Sequence, residues 1–220
     1  MKNMLKTKIF GAILSAAVLT GTCAAEDKAL AGGEKTKVPA EVSEISIEAG
    51  NMVSITVLKT ADTIGYAELR SKSGAGDQVS VELHGTKMLI KVAGSEEVSK
   101  PEAGGKYNSL KLYIPEGRNI TILGRNLVVS GEIAAKNLTV KAISVSMHAL
   151  KISASEAVSV EAGTAQLKFA LSSAKKLTVK VDRVSGKITI PASARLDCPE
   201  KEGLQVVRAG GVKSLAVKKS

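Results

Sequence analysis

The stretch NLTVKA (residues 137–142) returns with small changes as AVSVEA (157–162) and KLTVKV (176–181), and an earlier form, NITILG, occupies residues 119–124. Aligning the four places Ile120, Leu138, Val158 and Leu177 in one position, with steps of 18, 20 and 19 residues. A unit this short cannot bury its own apolar side, so its copies must stack on one another. Inside each copy apolar and polar residues alternate, the period of a strand whose two faces meet different surroundings. Leu138, Val140 and Ala142 are therefore expected to point inward, in line with Val158, Val160 and Ala162 and with Leu177, Val179 and Val181. One outward line is Thr121, Thr139, Ser159 and Thr178, and beside it runs Leu123, Lys141, Glu161 and Lys180. The last three alternate in sign, which keeps like charges from facing each other on adjacent strands.

Between the copies lie further short runs, at 127–133, 143–147, 150–153, 167–171 and 184–190. Two or three short strands per repeat describe a coil that advances one strand spacing, about 4.8 Å, per turn. Upstream the period is also two, in ISIEA (45–49), VSITVL (53–58), VSVEL (79–83), MLIKV (88–92) and LKLYI (110–114), with Gly, Asn, Asp or Pro clusters as separators. No window from Glu26 onward has the spacing of a helix. The expected fold is all-β, a right-handed parallel β-solenoid, β-helix-like, with an alternating-strand N-terminal half.

Around this core the sequence divides further. Residues 1–25 have the form of an export signal: Lys2, Lys6 and Lys8, then the apolar IFGAILSAAVL (9–19), then small residues in TGTCAA. The apolar run is too short to span a bilayer well. Cleavage after Ala25 fits the small residues at Cys23 and Ala25, whereas Thr22 before Cys23, and Leu19 one place too early, disfavour the rival reading in which Cys23 is lipidated. Residues 26–42, rich in charge, Gly and Ala, are expected to form a flexible lead-in. The domain proper is expected over 43–208, followed by a basic tail at 209–220.

The full chain has 31 Lys plus Arg against 21 Asp plus Glu. Without the three signal lysines the balance is 28 − 21 = +7. From Gly117 to Arg195 twelve basic residues face four acids, so the repetitive region is the basic one. Lys136, Lys141, Lys175, Lys176 and Lys180 are the candidate contacts for polyanions, because they fall at outward or turn positions.

Other chemistries find little footing. Polysaccharide-cleaving β-helices need clustered carboxylates, and the repeats hold only Glu132, Glu156, Glu161 and Asp182. No catalytic residue is expected unless the fold gathers these four in one groove. His84 and His148 are far apart with no neighbouring ligand type, so neither a metal nor a cofactor is implied. Cys198 would be the only cysteine left after cleavage at Ala25 and reads as a small apolar core residue. SGAGDQ (73–78) reads as a hairpin turn rather than a phosphate loop, since VSVEL continues as strand. Beyond the signal the aromatics are Tyr66, Tyr107, Tyr113 and Phe169, too few to stack nucleic-acid bases.

LKLYIPEG (110–117) running into Gly- and Ser-punctuated repeats, together with VVSGEIAAKNLTV (128–140) and the export signal, resembles the bacterial auto-transporter adhesin, head GIN domain family. The resemblance spans residues 45–207, although glycine-dense GSGD turns are lacking. It implies an exported β-solenoid with envelope association and no catalytic residue. The expected function is thus a non-enzymatic surface scaffold for anionic envelope polymers, namely acidic glycans or lipid head groups, and not for nucleic acid. The alternatives are a β-helix enzyme acting on polysaccharide and a periplasmic lipid-handling β protein.

Overall fold

A computed structural model describes residues 28–30, 35–70, 79–93, 108–199 and 202–209. The expected signal segment with Cys23, the turn at 73–78 and the tail beyond Ala209 lie outside the described residues. Twelve strands follow in order: β1 (Lys28–Leu30), β2 (Lys35–Val38), β3 (Glu44–Ala49), β4 (Val53–Thr60), β5 (Gly65–Arg70), β6 (Val79–His84), β7 (Lys87–Val92), β8 (Asn108–Pro115), β9 (Arg118–Ser173), β10 (Lys176–Pro191), β11 (Arg195–Asp197) and β12 (Leu204–Ala209). Among the described residues there is no helix, and so none long and apolar enough to cross a membrane.

The 56 residues of β9 would run about 185 Å if straight. They coil instead, as their partners show. Residues 119–124 pair with β3, 127–131 with β4, and 157–170 with β10, every ladder parallel. β9 thereby joins two arms of one sheet. The first arm continues through β3, β7, β6 and β1, the second through β4, β8, β5 and β2. Past β9, β10 carries both arms onward, pairing with β11 on the first and β12 on the second.

The repeat register read from the sequence is the register of the fold. Leu177 pairs with Val158 and Val179 with Val160, and Ile45 sits between Met88 and Ile120. The 18-residue step is spanned by Asn137 Nδ2 donating to Asn119 Oδ1 at 2.9 Å, and the 20-residue step by Lys141 against Glu161 at 3.0 Å. Val140, Val160 and Val179 are wholly buried, in one continuous apolar cluster that runs from Val38 to Leu204. Each such side chain contributes on the order of 1.5–3 kcal/mol, which is why the inward lines carry no polar side chain.

One expectation needs correction. The sheet is mixed, curled and open rather than uniformly parallel. At one end β6 lies antiparallel on β7 and β5 antiparallel on β8, with β1 and β2 antiparallel outside them. For β6 and β7 the cause is local: only Gly85 and Thr86 separate them, Gly85 has φ +60°, and so short a connection joins only antiparallel neighbours. Within the expected lead-in the described residues include the short strands β1 and β2, and Val38 and Val42 are buried.

The order of the rungs is not the order of the chain. β3 and β4 lie between β7 and β8 on one side and the first turn of β9 on the other. After β8 the chain crosses back at Glu116 and Gly117, the latter with φ +79°. Arg118 Nη2 then donates to Ala40 O (2.8 Å) and Asn119 N to Ser43 O (2.9 Å).

Candidate charged faces

With the inward side chains committed to the core, chemistry is confined to the outer faces. On the first arm the register makes continuous outward lines. One runs Lys91, Glu48, Leu123 and continues through Lys141 and Glu161 to Lys180. The neighbouring line of Ser46 and Thr121, with Ser159 and Thr178, is a column of hydroxyls.

The five lysines expected to contact polyanions all fall on this arm or at the corner that enters it. Lys136, Glu156 and Lys175 form a second line of alternating sign: Lys175 Nζ donates to both Glu156 oxygens at 2.9 Å. That hydrogen bond, and then the charges of Lys175 and Lys136, hold the Glu156 carboxyl below its usual range. Lys141 is paired with Glu161, Lys176 stands 3.9 Å from Asp197, and Lys180 faces Glu161 in register. Lys141, Lys176 and Lys180 thus lie on the outer face of the arm, about 13 Å separating Lys176 from Lys180 along the strand, and Lys136 and Lys175 at its entering corner, with carboxylates interleaved.

At the other end of the first arm a shallow depression of about 560 Å³ lies across β7, β3 and β9, lined by Glu44, Ser46, Glu48, His84, Lys87 and Thr121. Lys87 pairs with Glu44 at 2.9 Å. Beside the depression Glu82 accepts from Lys91 and lies 3.5 Å from His84 Nε2. The Lys91 hydrogen bond lowers the Glu82 pKa most. Sequence reading passed over this cluster because Glu82 and Lys91 meet only across the β6–β7 hairpin.

The four acids of the repeats do not share a groove. Glu132 lies near Lys59, which is hydrogen-bonded to Glu116, a contact that raises the lysine pKa. Glu156 belongs to Lys175, Glu161 to Lys141, and Asp182 faces the Gly163 corner. No group of three or more His, Cys, Asp or Glu is placed to hold a metal among the described residues. His148 is exposed, and Cys198 is buried two residues beyond Leu196, which pairs with Leu177.

No family model matches the chain, that of the head GIN domain family included, and no curated protein matches it. Among solved structures the chain is similar to a candidate cell adhesion protein from Clostridium sporogenes, at 9% identity and TM-score 0.45, covering 84% of this chain and 100% of that one. It is also similar, at lower TM-scores of 0.26 and 0.27, to candidate adhesins from Parabacteroides distasonis and Bacteroides fragilis. Identities there are 9% and 10%; 84% and 83% of this chain and 96% and 94% of the others are covered.

Proposed function

We propose that the chain is an exported, non-enzymatic binding scaffold whose parallel rungs coil as a short right-handed β-solenoid of the adhesin type and whose basic outer faces hold anionic envelope polymers. The observation that carries this reading is the regular outward display of lysines on rungs about 4.8 Å apart, over a region where twelve basic residues face four acids. A repeating polyanion meets several such lysines at once, so weak single contacts add up along the chain. The dispersal of Glu132, Glu156, Glu161 and Asp182 supports a binding role over a polysaccharide-cleaving one, because acid and base work needs two carboxylates on one substrate bond.

The test is retention of the exported protein on immobilised lipopolysaccharide and on an acidic glycan as salt is raised. Exposed charges are screened beyond about 8 Å at physiological ionic strength, so retention at low salt should fall steeply on the way to physiological salt. Retention that ignores salt, or none at low salt, refutes the proposal. Reversal of Lys136, Lys141, Lys175, Lys176 and Lys180 to Glu asks how much of the retention the first arm supplies.

A further inference from the structure

On the first arm the basic residues have acids beside them: Lys141 and Lys180 flank Glu161, Lys136 and Lys175 flank Glu156, and Lys176, which pairs with Arg195, stands 3.9 Å from Asp197. On the second arm a like-charge pair stands without such an acid. Lys168 and Lys187 are direct partners on adjacent parallel strands, and both are exposed. His148 lies on the same line: Ser146 Oγ donates to Gln166 Oε1 at 3.4 Å, and His148 and Lys168 each follow two residues later. Around the two lysines the outward neighbours are Gln166 and Ser185 on one side, Ala170 and Thr189 on the other, and Gln205 on the next rung. None is acidic, and neither lysine has an ion-pair partner among the described residues.

Like charges set directly opposite each other destabilise a sheet. Folding gains nothing from this pair, and an alternative at no cost in packing was open, since both side chains leave the core. A single oxyanion lying between the two ammonium groups removes the repulsion. Charge-assisted contacts of about 2.8 Å to each lysine fit a rung spacing of about 4.8 Å. Gln166 and Ser185 supply neutral donors beside it.

We propose that Lys168 and Lys187 form an anion-binding site on the second arm, one that takes a carboxylate, sulfate or phosphate group of an acidic polysaccharide. This inference rests on the polyanion-binding reading above and places its strongest contact away from the five first-arm lysines. A polysaccharide is favoured over a bilayer because the site lies on a strand face whose outward neighbours, Gln166, Ser185, Ala170, Thr189 and Gln205, include no large apolar side chain for insertion among acyl chains.

The experiment compares the full chain with Lys168→Gln/Lys187→Gln and with Lys37→Gln/Lys87→Gln, which removes the same charge at the opposite end of the sheet. Binding is measured to polygalacturonate, to dextran sulfate and to vesicles containing anionic phospholipid, with lysine side-chain NMR during titration with inorganic pyrophosphate. The second-arm pair should lose about tenfold in affinity for the two polymers, as expected when two charge-assisted contacts go, and the opposite-end pair should lose far less. Pyrophosphate should shift the Lys168 and Lys187 signals before other lysines. Melting of Lys168→Gln/Lys187→Gln at or above the parent value would support a repulsion tolerated for binding; a lower melting point would overturn it, making the pair structural. Equal losses for the two pairs would overturn the site and leave the polyanion reading standing. Capture by vesicles but not by polymers would overturn the polysaccharide assignment. If the parent binds no polymer, the polyanion reading falls, and the pyrophosphate shifts alone decide the site: selective shifts sustain it and their absence ends it.

Discussion

Replacing Val160 by Asp tests the inward register where it is tightest. Val160 is wholly buried, aligned with Val179 on one side and with Val140 on the other, as fixed by the adjoining Lys141–Glu161 pair. The change forfeits the burial of a valine, about 1.5–3 kcal/mol, and places a carboxyl among apolar side chains with nothing to accept from. The total cost is on the order of 3–5 kcal/mol. For a structure of this size each kcal/mol moves the melting temperature by roughly 2–4 °C, so the loss should reach roughly 6–20 °C. Ser159→Asp introduces the same group one residue earlier, on the outward hydroxyl line, where a surface change costs within about 0.5 kcal/mol. The assay is thermal denaturation followed by far-ultraviolet circular dichroism, since the chain has no tryptophan. Stacked repeats contact only their neighbours, so hydrogen exchange in Val160→Asp should quicken first on the rungs of Val140 and Val179. Comparable melting losses for the two variants would refute the assigned faces.

Three further outcomes are expected. Gly186 has φ +121°, and a Cβ there would lie 2.1 Å from Leu167 O; Gly186→Ala should cost about 2 kcal/mol or more, against about 1 kcal/mol for Gly85→Ala, which has φ +60° and open space around it, as chemical denaturation of the two would show. The carboxyls of Glu82 and Glu156 are held below their ordinary value of 4.5, chiefly by hydrogen bonds from Lys91 and Lys175. Their contribution is full above that pH and is lost as pH falls through the lowered values, so Glu82→Gln/Glu156→Gln should flatten the acid limb of a stability–pH curve while lowering it at neutral pH. Arg208 Nη1 donates to Ala192 O (2.8 Å) and Ala194 O (3.1 Å), holding the corner between β10 and β11; Arg208→Ala should cost about 1–3 kcal/mol and expose the 192–194 amides to faster exchange.

The sequence by itself determined which side chains face inward and the offset at which successive repeats pair. Both are local properties: alternation puts Leu138 and Val140 on one face whatever lies next to them, and a repeat of 18 to 20 residues sets Leu177 beside Val158 because only that offset continues the apolar line. The candidate lysines of the first arm were legible for the same reason, since Lys141, Glu161 and Lys180 occupy one place in one phrase. The tertiary structure alone decided the partners of β3 and β4, which lie between strands that come later in the chain, because several parallel and antiparallel pairings bury the same alternating pattern equally well. It alone made β1 and β2 strands, through edges supplied by β6 and β5. It also brought out the second arm: Lys168 and Lys187 are 19 residues apart, one repeat step, but they stand outside the recurring phrase. Their meeting depends on the corners at Gly163 and Asp182 keeping both arms in step, so that two like charges face each other across one rung.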